Sequence, residues 1–410
     1  MKLVFLMLAF LALHNYTRAQ IVFPGQVSQR RNQYASTQSL KNRINKFTMS
    51  LFKNILEKES GNFVTSPLSA YLVLAMTAYG AKGTTRDELL QVLDLPYDKE
   101  SAKSLLHVIN SVKRYSTESL LRVENRIFAK PHLSLNRYYQ ALLQGVFQSS
   151  VQTVDFGNPS EAVNIINAWC RRATFGFIDK IVDDTIDPTT ALLLANSVLF
   201  QGKWKIPFSS RDTYLRPFKV NDTITKDVPT MIHEEDVLIG KLPHLKATFI
   251  GLPYKDGDKP EETIHMYAIL PDRPEYLTIT ERNIGRLTLA DLQNAKLFER
   301  EIRLPKVKIS KNLKLRDYLM AMGIKQAFSK DADFNGMFNN ARKLSISDLV
   351  QKTLLKVDEE GTIAAAVAWA PLTNKIGSLP LVFDRPFLVV IATNDVILFA
   401  GKVTDPSVSE

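Results

Sequence analysis

The chain has 410 residues, 52 Lys and Arg against 42 Asp and Glu, a formal net charge of +10 and a single cysteine. One cysteine excludes an intramolecular disulfide, so a chain of this length must be held by its core alone. The basic balance suits a polyanion such as a glycosaminoglycan, or an acidic patch on a partner. No dense Lys/Arg run and no basic–aromatic interleaving points to nucleic acid.

Lys2, the apolar residues 3–13 and then Thr17-Arg18-Ala19 read as a secretory signal over residues 1–19. A membrane anchor is the alternative, but the apolar run falls short of the roughly 20 residues a bilayer requires. The signal predicts a secreted, extracellular protein starting near Gln20, with no membrane association. Residues 20–38 are polar and aperiodic and read as a flexible N-terminal extension. Residues 39–410 contain no linker, repeat or low-complexity tract, which argues for a single domain, expected to be a monomer.

Leu40, Ile44, Phe47, Leu51 and Ile55 recur at helical spacing. Ser66-Pro67 opens a second helix, with Ser66 placed to cap it and Pro67 suited to its first turn. That helix is apolar almost all round through Met76, so it should be buried. Lys99, Lys103, His107, Lys113 and Arg114 fall along one side of a later helix, either a polyanion surface or a solvated face. Cys170 follows Trp169 in a helical, apolar-periodic stretch, as a buried thiol would. Residues 192–200 form an apolar run suited to a strand covered on both faces. Residues 263–270, 301–304, 387–392 and 396–403 also read as strands, with Asn394-Asp395 turning between the last two. Helices come first and long strands later, which predicts an α+β fold.

The motifs of enzymes are missing: no G-x-S-x-G elbow, no H-E-x-x-H, no phosphate-binding glycine loop. His233-Glu234-Glu235-Asp236 reads as a solvated acidic turn rather than a metal site. No catalytic residue, metal or cofactor is expected. Asn221-Asp222-Thr223 is a glycosylation sequon in a polar turn, with Asn221 as acceptor.

The most informative stretch follows Glu359-Glu360. Gly361 can pivot, and positions 362, 364, 366, 368 and 370 are Thr, Ala, Ala, Ala and Ala. In a strand these small side chains share one face, which would let the segment slide over packed helices. Ile363, Val367 and Trp369 would point outward, with Ala365 among them. Read alone, the segment also suits a helix, since Ala is the best helix former and Pro371 would stop it.

The surrounding motifs resemble the serpin family from about Leu40 to Pro406. They are Asn62-Phe63-Val64-Thr65-Ser66-Pro67-Leu68-Ser69, Asn125-Arg126-Ile127-Phe128, Ile166-Asn167-Ala168-Trp169, and Asn196-Ser197-Val198-Leu199-Phe200-Gln201-Gly202-Lys203-Trp204 with Phe208 and Thr213. Leu304-Pro305-Lys306, Asp331-Ala332-Asp333-Phe334 and Phe383-Asp384-Arg385-Pro386-Phe387 continue the order. The resemblance implies three β-sheets, about nine helices and an exposed reactive-centre loop near residues 359–380. It implies a hinge from Glu359, Glu360, Gly361, Thr362 and Ile363 through Ala364, Ala365, Ala366, Val367 and Ala368. Lys375 lies 14 residues after Gly361 and 8 before Phe383, and both counts mark Lys375–Ile376 as the reactive bond.

A basic residue at the reactive bond implies a trypsin-like serine protease as covalent partner. Ser66, Ser69, Asn196 and Gln351 resemble the family's shutter beneath the opening strands. Trp204 resembles the aromatic residue at the breach, and Lys306 with Glu359 matches an ion pair there. Four departures stand out: Ile363 where Glu is common, the bulky Trp369, Pro371 late in the inserting segment, and Gln351 where His is common. Asn374-Lys375-Ile376-Gly377 resembles both a protease-zymogen activation site and the bait of arthropod immune serpins that restrain clip-domain proteases in melanisation. A non-inhibitory serpin acting as carrier, chaperone or storage protein is the alternative.

Overall fold

The computed structural model describes residues 24–114, 120–183, 185–255, 263–339, 344–361 and 379–408. The chain begins with helix α1 (Pro24–Leu56), strand β1 (Phe63–Thr65) and helices α2 (Pro67–Gly80), α3 (Gly83–Leu93) and α4 (Lys99–Arg114). Strands and short helices follow: β2 (Leu120–Ala129), β3 (Ser134–Leu135), α5 (Arg137–Leu142), β4 (Ser150–Thr153), α6 (Pro159–Ala173) and β5 (Leu192–Gln201). Next come β6 (Thr213–Lys219), β7 (Thr225–Leu242), β8 (Ala247–Pro253), β9 (His265–Pro271), α7 (Leu277–Asn283) and α8 (Leu289–Gln293). The last part holds β10 (Lys296–Pro305), β11 (Val307–Lys314), α9 (Arg316–Ala321), β12 (Phe338–Asn339), β13 (Ile346–Val357), β14 (Leu381–Val382), β15 (Phe387–Ala392) and β16 (Ile397–Val403).

Among the described residues these strands make three sheets in an α+β arrangement with nine α-helices. A five-stranded sheet runs β11-β13-β5-β2-β4. A nine-stranded sheet runs β1-β16-β15-β9-β8-β7-β10-β14, with β6 added on β7, and β12 pairs with β3. The β13–β5 pair at the centre of the five-stranded sheet is parallel, while β13 pairs antiparallel with β11 and β5 antiparallel with β2.

The composition of β5 explains that central position. Leu192, Leu194, Val198 and Phe200 face the main core, which contains Leu68, Leu72 and Met76 of α2. Leu193 and Ala195 face a second core with Trp169 and Cys170 of α6. Alternate side chains point to opposite faces of a strand, so a strand covered on both sides must be apolar throughout. α2 is buried at every residue except Tyr79, for the same reason.

Three sequence expectations are corrected. The flexible extension was expected to run to Gln38, but α1 starts at Pro24. Proline suits a first helical turn, and Thr37 is buried, donating to Ser104 Oγ of α4 at 3.4 Å. Ser66 precedes α2 without capping it; its hydroxyl donates to the Leu398 carbonyl at 2.8 Å. His233-Glu234-Glu235-Asp236 lies inside β7, with Glu235 opposite Arg300 of β10. Charged residues on a solvated ladder look like a turn until the partner strand is known.

Candidate functional site

β13 ends at Val357 and the chain turns back at once. Gly361 N–H donates to the Asp358 carbonyl at 3.2 Å and Asp358 N–H to the Gly361 carbonyl at 3.0 Å. Gly361 holds φ +117°, and a Cβ there would stand 2.6 Å from both Lys203 Cα and Trp204 N. Only glycine combines that backbone angle with that approach.

The turn is fastened to the segment leaving β5. Trp204 Nε1–H donates to the Asp358 carbonyl (2.8 Å), Phe208 N–H to the Glu359 carbonyl (2.7 Å) and Trp204 N–H to the Glu360 carbonyl (3.0 Å). Three successive carbonyls are thereby anchored, that of Asp358 and the first two of the expected hinge, Glu359 and Glu360. Trp204 is itself fixed, stacked on Tyr254 with ring centroids 4.5 Å apart. The Glu359 carboxylate meets Lys306 Nζ at 2.8 Å and accepts from Thr213 Oγ1 at 2.8 Å. Burial pushes this carboxyl up, but the hydrogen bonds from Lys306, its own backbone and Thr213 outweigh it and hold the carboxyl below the usual glutamate range. Asp358 pairs with Lys356 at 2.5 Å.

Lower in the same sheet, Gln351 of β13 stands in register with Asn196 of β5. Gln351 Oε1 accepts from Thr65 Oγ1 (2.6 Å) and from Ser66 N–H (2.9 Å). Gln351 Nε2 donates to the Ser66 carbonyl (2.9 Å) and to Asn196 Oδ1 (2.6 Å). Asn196 Nδ2 then donates to Ser69 Oγ and, at 2.6 Å, to Asn125 Oδ1. Gln351, Asn196 and Ser69 are 0% exposed, so each of these bonds replaces water that cannot enter. The network ties β13, β5 and β2 to the N-terminal end of α2.

The structure therefore gathers Ser66, Ser69, Asn196 and Gln351 into one buried cluster, and Trp204, Lys306, Glu359, Glu360 and Gly361 into a second that is only partly buried. Thr362, Ile363, Ala364, Ala365, Ala366, Val367, Ala368, Lys375 and Ile376 lie outside the described residues, as does the signal over residues 1–19. Asn221 is exposed in a turn where its Oδ1 accepts from Thr223 Oγ1 at 2.9 Å. Cys170 is buried and 3.3 Å from Ser197 Oγ; burial pushes its thiol up to about 11, against the opposing pull of that hydrogen bond. Among the described residues no group of His, Cys, Asp or Glu is placed to hold a metal ion, and no helix is long and apolar enough to cross a membrane.

Sequence reasoning missed several partners. Thr65 and Asn125 complete the lower cluster, and Tyr254 and the main-chain N–H of Phe208 complete the upper one. No local pattern marks them, because each acts through a strand distant in the sequence.

The family model for serpins (serine protease inhibitor) matches residues 42–406. Iris of Ixodes ricinus is 31% identical over 382 residues, covering 90% of this chain and 99% of that protein. The crystal structure of Serpin48, a highly specific serpin of the insect Tenebrio molitor, superposes with a TM-score of 0.81 at 31% identity, covering 90% of this chain and 98% of that one. Human thyroxine-binding globulin, solved in complex with thyroxine, superposes with a TM-score of 0.82 at 26% identity, covering 92% of this chain and 100% of that one. The chain belongs to the serpin family and has its fold.

Proposed function

We propose that this chain is a secreted suicide substrate of trypsin-like serine proteases, cleaved at Lys375–Ile376 and trapping the protease as an acyl-enzyme. One observation carries the reading: the hinge leaves β13 beside a parallel β13–β5 pair. A segment that reverses after β13 runs antiparallel to β13. Because β5 is parallel to β13, the segment is antiparallel to β5 as well, so it can pair on both edges at once. Insertion exchanges the eight register positions of the β13–β5 ladder for two new antiparallel ladders.

In this reading Lys375 enters a pocket whose buried carboxylate pairs with its ammonium. The protease serine oxygen attacks the Lys375 carbonyl, the Lys375–Ile376 C–N bond breaks, and the Ile376 amine departs with a proton. The freed segment Thr362 to Ala368 then enters the sheet, small side chains toward α2. Loop insertion of this kind releases strain stored in the uncut fold. The uncut fold is held by a barrier rather than by equilibrium. The Lys306–Glu359 pair and the three anchored carbonyls restrain the hinge until cleavage. A clip-domain protease of an immune cascade fits Asn374-Lys375-Ile376-Gly377. Glycosylation at Asn221 and a polyanion on the basic side of α4 belong to the same reading.

The second reading is a carrier. Pro371 favours it, since proline lacks the N–H that a central strand needs, and so does the likeness to thyroxine-binding globulin. Incubation with trypsin, denaturing gels and intact mass decide between them. The inhibitor yields a covalent adduct and a released peptide beginning at Ile376, whereas a carrier yields clipped protein alone. Lys375→Ala abolishes the adduct with trypsin; an unchanged yield refutes the bond assignment.

A further inference from the structure

Leu379 is the first described residue after the reactive bond, and it follows Ile376 by three residues, a reach of at most about 11 Å for any chain. On the other side the nearest described residue is Gly361, 14 residues before Lys375. The exit limb therefore limits where the bond can stand far more closely than the hinge does. Its hold on the sheet is short. β14 pairs with β10 through Leu381 on Ile302 and Val382 on Arg303, and Phe383 N–H donates to the Arg303 carbonyl at 2.9 Å. Pro380 lacks the N–H that would carry this ladder one residue further. Arg300 reaches past it from its side chain: Nε–H donates to the Leu379 carbonyl at 2.7 Å. A hydrogen bond from a guanidinium is stronger than one between neutral groups, and a residue before proline is already confined to extended backbone. Leu379 is 83% exposed, so burial of its side chain does not hold it in place.

We infer that Arg300 positions the reactive bond, fixing the leaving-group side of the loop at Leu379 before a trypsin-like protease arrives. The inference deepens the inhibitory reading and rests on it for the bond at Lys375–Ile376. With Arg300 in place the protease meets an exit limb already ordered at Leu379. Without it that residue must be fixed at encounter, and fixing one residue costs about tenfold. The segment that enters the sheet lies on the Lys375 side of the cut, whereas Leu379 stays with β14. Arg300 therefore governs how fast the bond is attacked, and not whether the cleaved molecule traps the protease or releases it. That division separates it from Lys306 and Glu359, which restrain the hinge.

The test compares the full chain with Arg300→Met, which keeps an unbranched stem and loses the donor, and Arg300→Lys, which keeps a donor. Arg300 is half-buried, so neither change opens the core. Intact mass follows trypsin attack at Lys375–Ile376, counting adduct and clipped protein together for the rate and reading their ratio separately. R300M lowers the rate about tenfold with the ratio unchanged, and R300K recovers most of the loss. The loss persists in about 1 M salt, where a Debye length of about 3 Å removes steering by charge. A rate equal to the parent's overturns the inference, as does a loss that vanishes in salt, a loss that R300K shares in full, or a shifted ratio. A parent that is clipped without adduct refutes the inhibitory reading, and the rates of clipping then decide the inference by themselves. Cleavage that spares Lys375–Ile376 overturns both.

Discussion

Replacing Gln351 by leucine tests whether the buried amide holds the sheet closed. Gln351 is 0% exposed and satisfies four partners: Thr65 Oγ1, Ser66 N–H, the Ser66 carbonyl and Asn196 Oδ1. Two of these recover. The Ser66 carbonyl still accepts from Ala70 N–H at 3.1 Å, and the Thr65 hydroxyl can rotate. Ser66 N–H and Asn196 Oδ1 are left buried without a partner, at about 1–3 kcal/mol each. The uncut protein should lose about 2–6 kcal/mol. With an unfolding entropy of about 2.1 cal/mol/K per residue, this lowers the melting midpoint of a chain this long by about 2–7 °C. Differential scanning fluorimetry of Q351L beside the parent measures it. Q351E should lose more at neutral pH, because a carboxylate presents acceptors to the Ser66 carbonyl and Asn196 Oδ1 and carries a buried charge. A midpoint within 1 °C of the parent for Q351L would show that the cluster does not hold β13 to β5.

Three further outcomes follow from the upper cluster and from the second core. The Glu359 carboxyl is held below its usual range, so its contribution is present above the ordinary glutamate pKa and is lost as pH falls through the depressed value; the melting difference between the parent and Glu359→Gln should therefore shrink on acidification, and a difference that grows refutes the ion pair. Gly361→Val places a branched side chain against Lys203 and Trp204 at a φ that such residues avoid; hydrogen exchange at Trp204 N–H should quicken at least tenfold, and unchanged exchange would mean that the turn is not anchored there. Cys170 is buried with its thiol pushed up to about 11, so a disulfide reagent should modify it at pH 8 only once urea has unfolded the chain; rapid labelling of the folded protein would contradict that burial.

What was legible in the sequence divides by range. β5 is apparent from its own residues, because burial on both faces writes an unbroken apolar run, and α2 is apparent for the same reason. The β15–β16 hairpin is apparent because strand and turn signals lie together. His233-Glu234-Glu235-Asp236 reads as a turn because these residues pair with β10, which lies distant in the sequence. Ser66 looks like a cap by type and position, yet the Leu398 carbonyl of a strand far along the chain takes its hydroxyl. The members of the lower cluster were named through family resemblance alone. No local rule places Gln351 on Asn196, because a parallel register joins residues 155 apart. The reactive segment is the reverse case: its alternation of small side chains is plain in the sequence, and it lies outside the described residues.

The central claim is that the cut chain becomes an interior strand between β13 and β5. Cleavage by trypsin at Lys375–Ile376, separation of the clipped product and a melting curve against the uncut protein test it most directly. The account predicts a product that melts well above its parent, with exchange protection gained by the amides of Thr362, Ala364, Ala366 and Ala368. A product that melts no higher, with those amides still open to solvent, would contradict it.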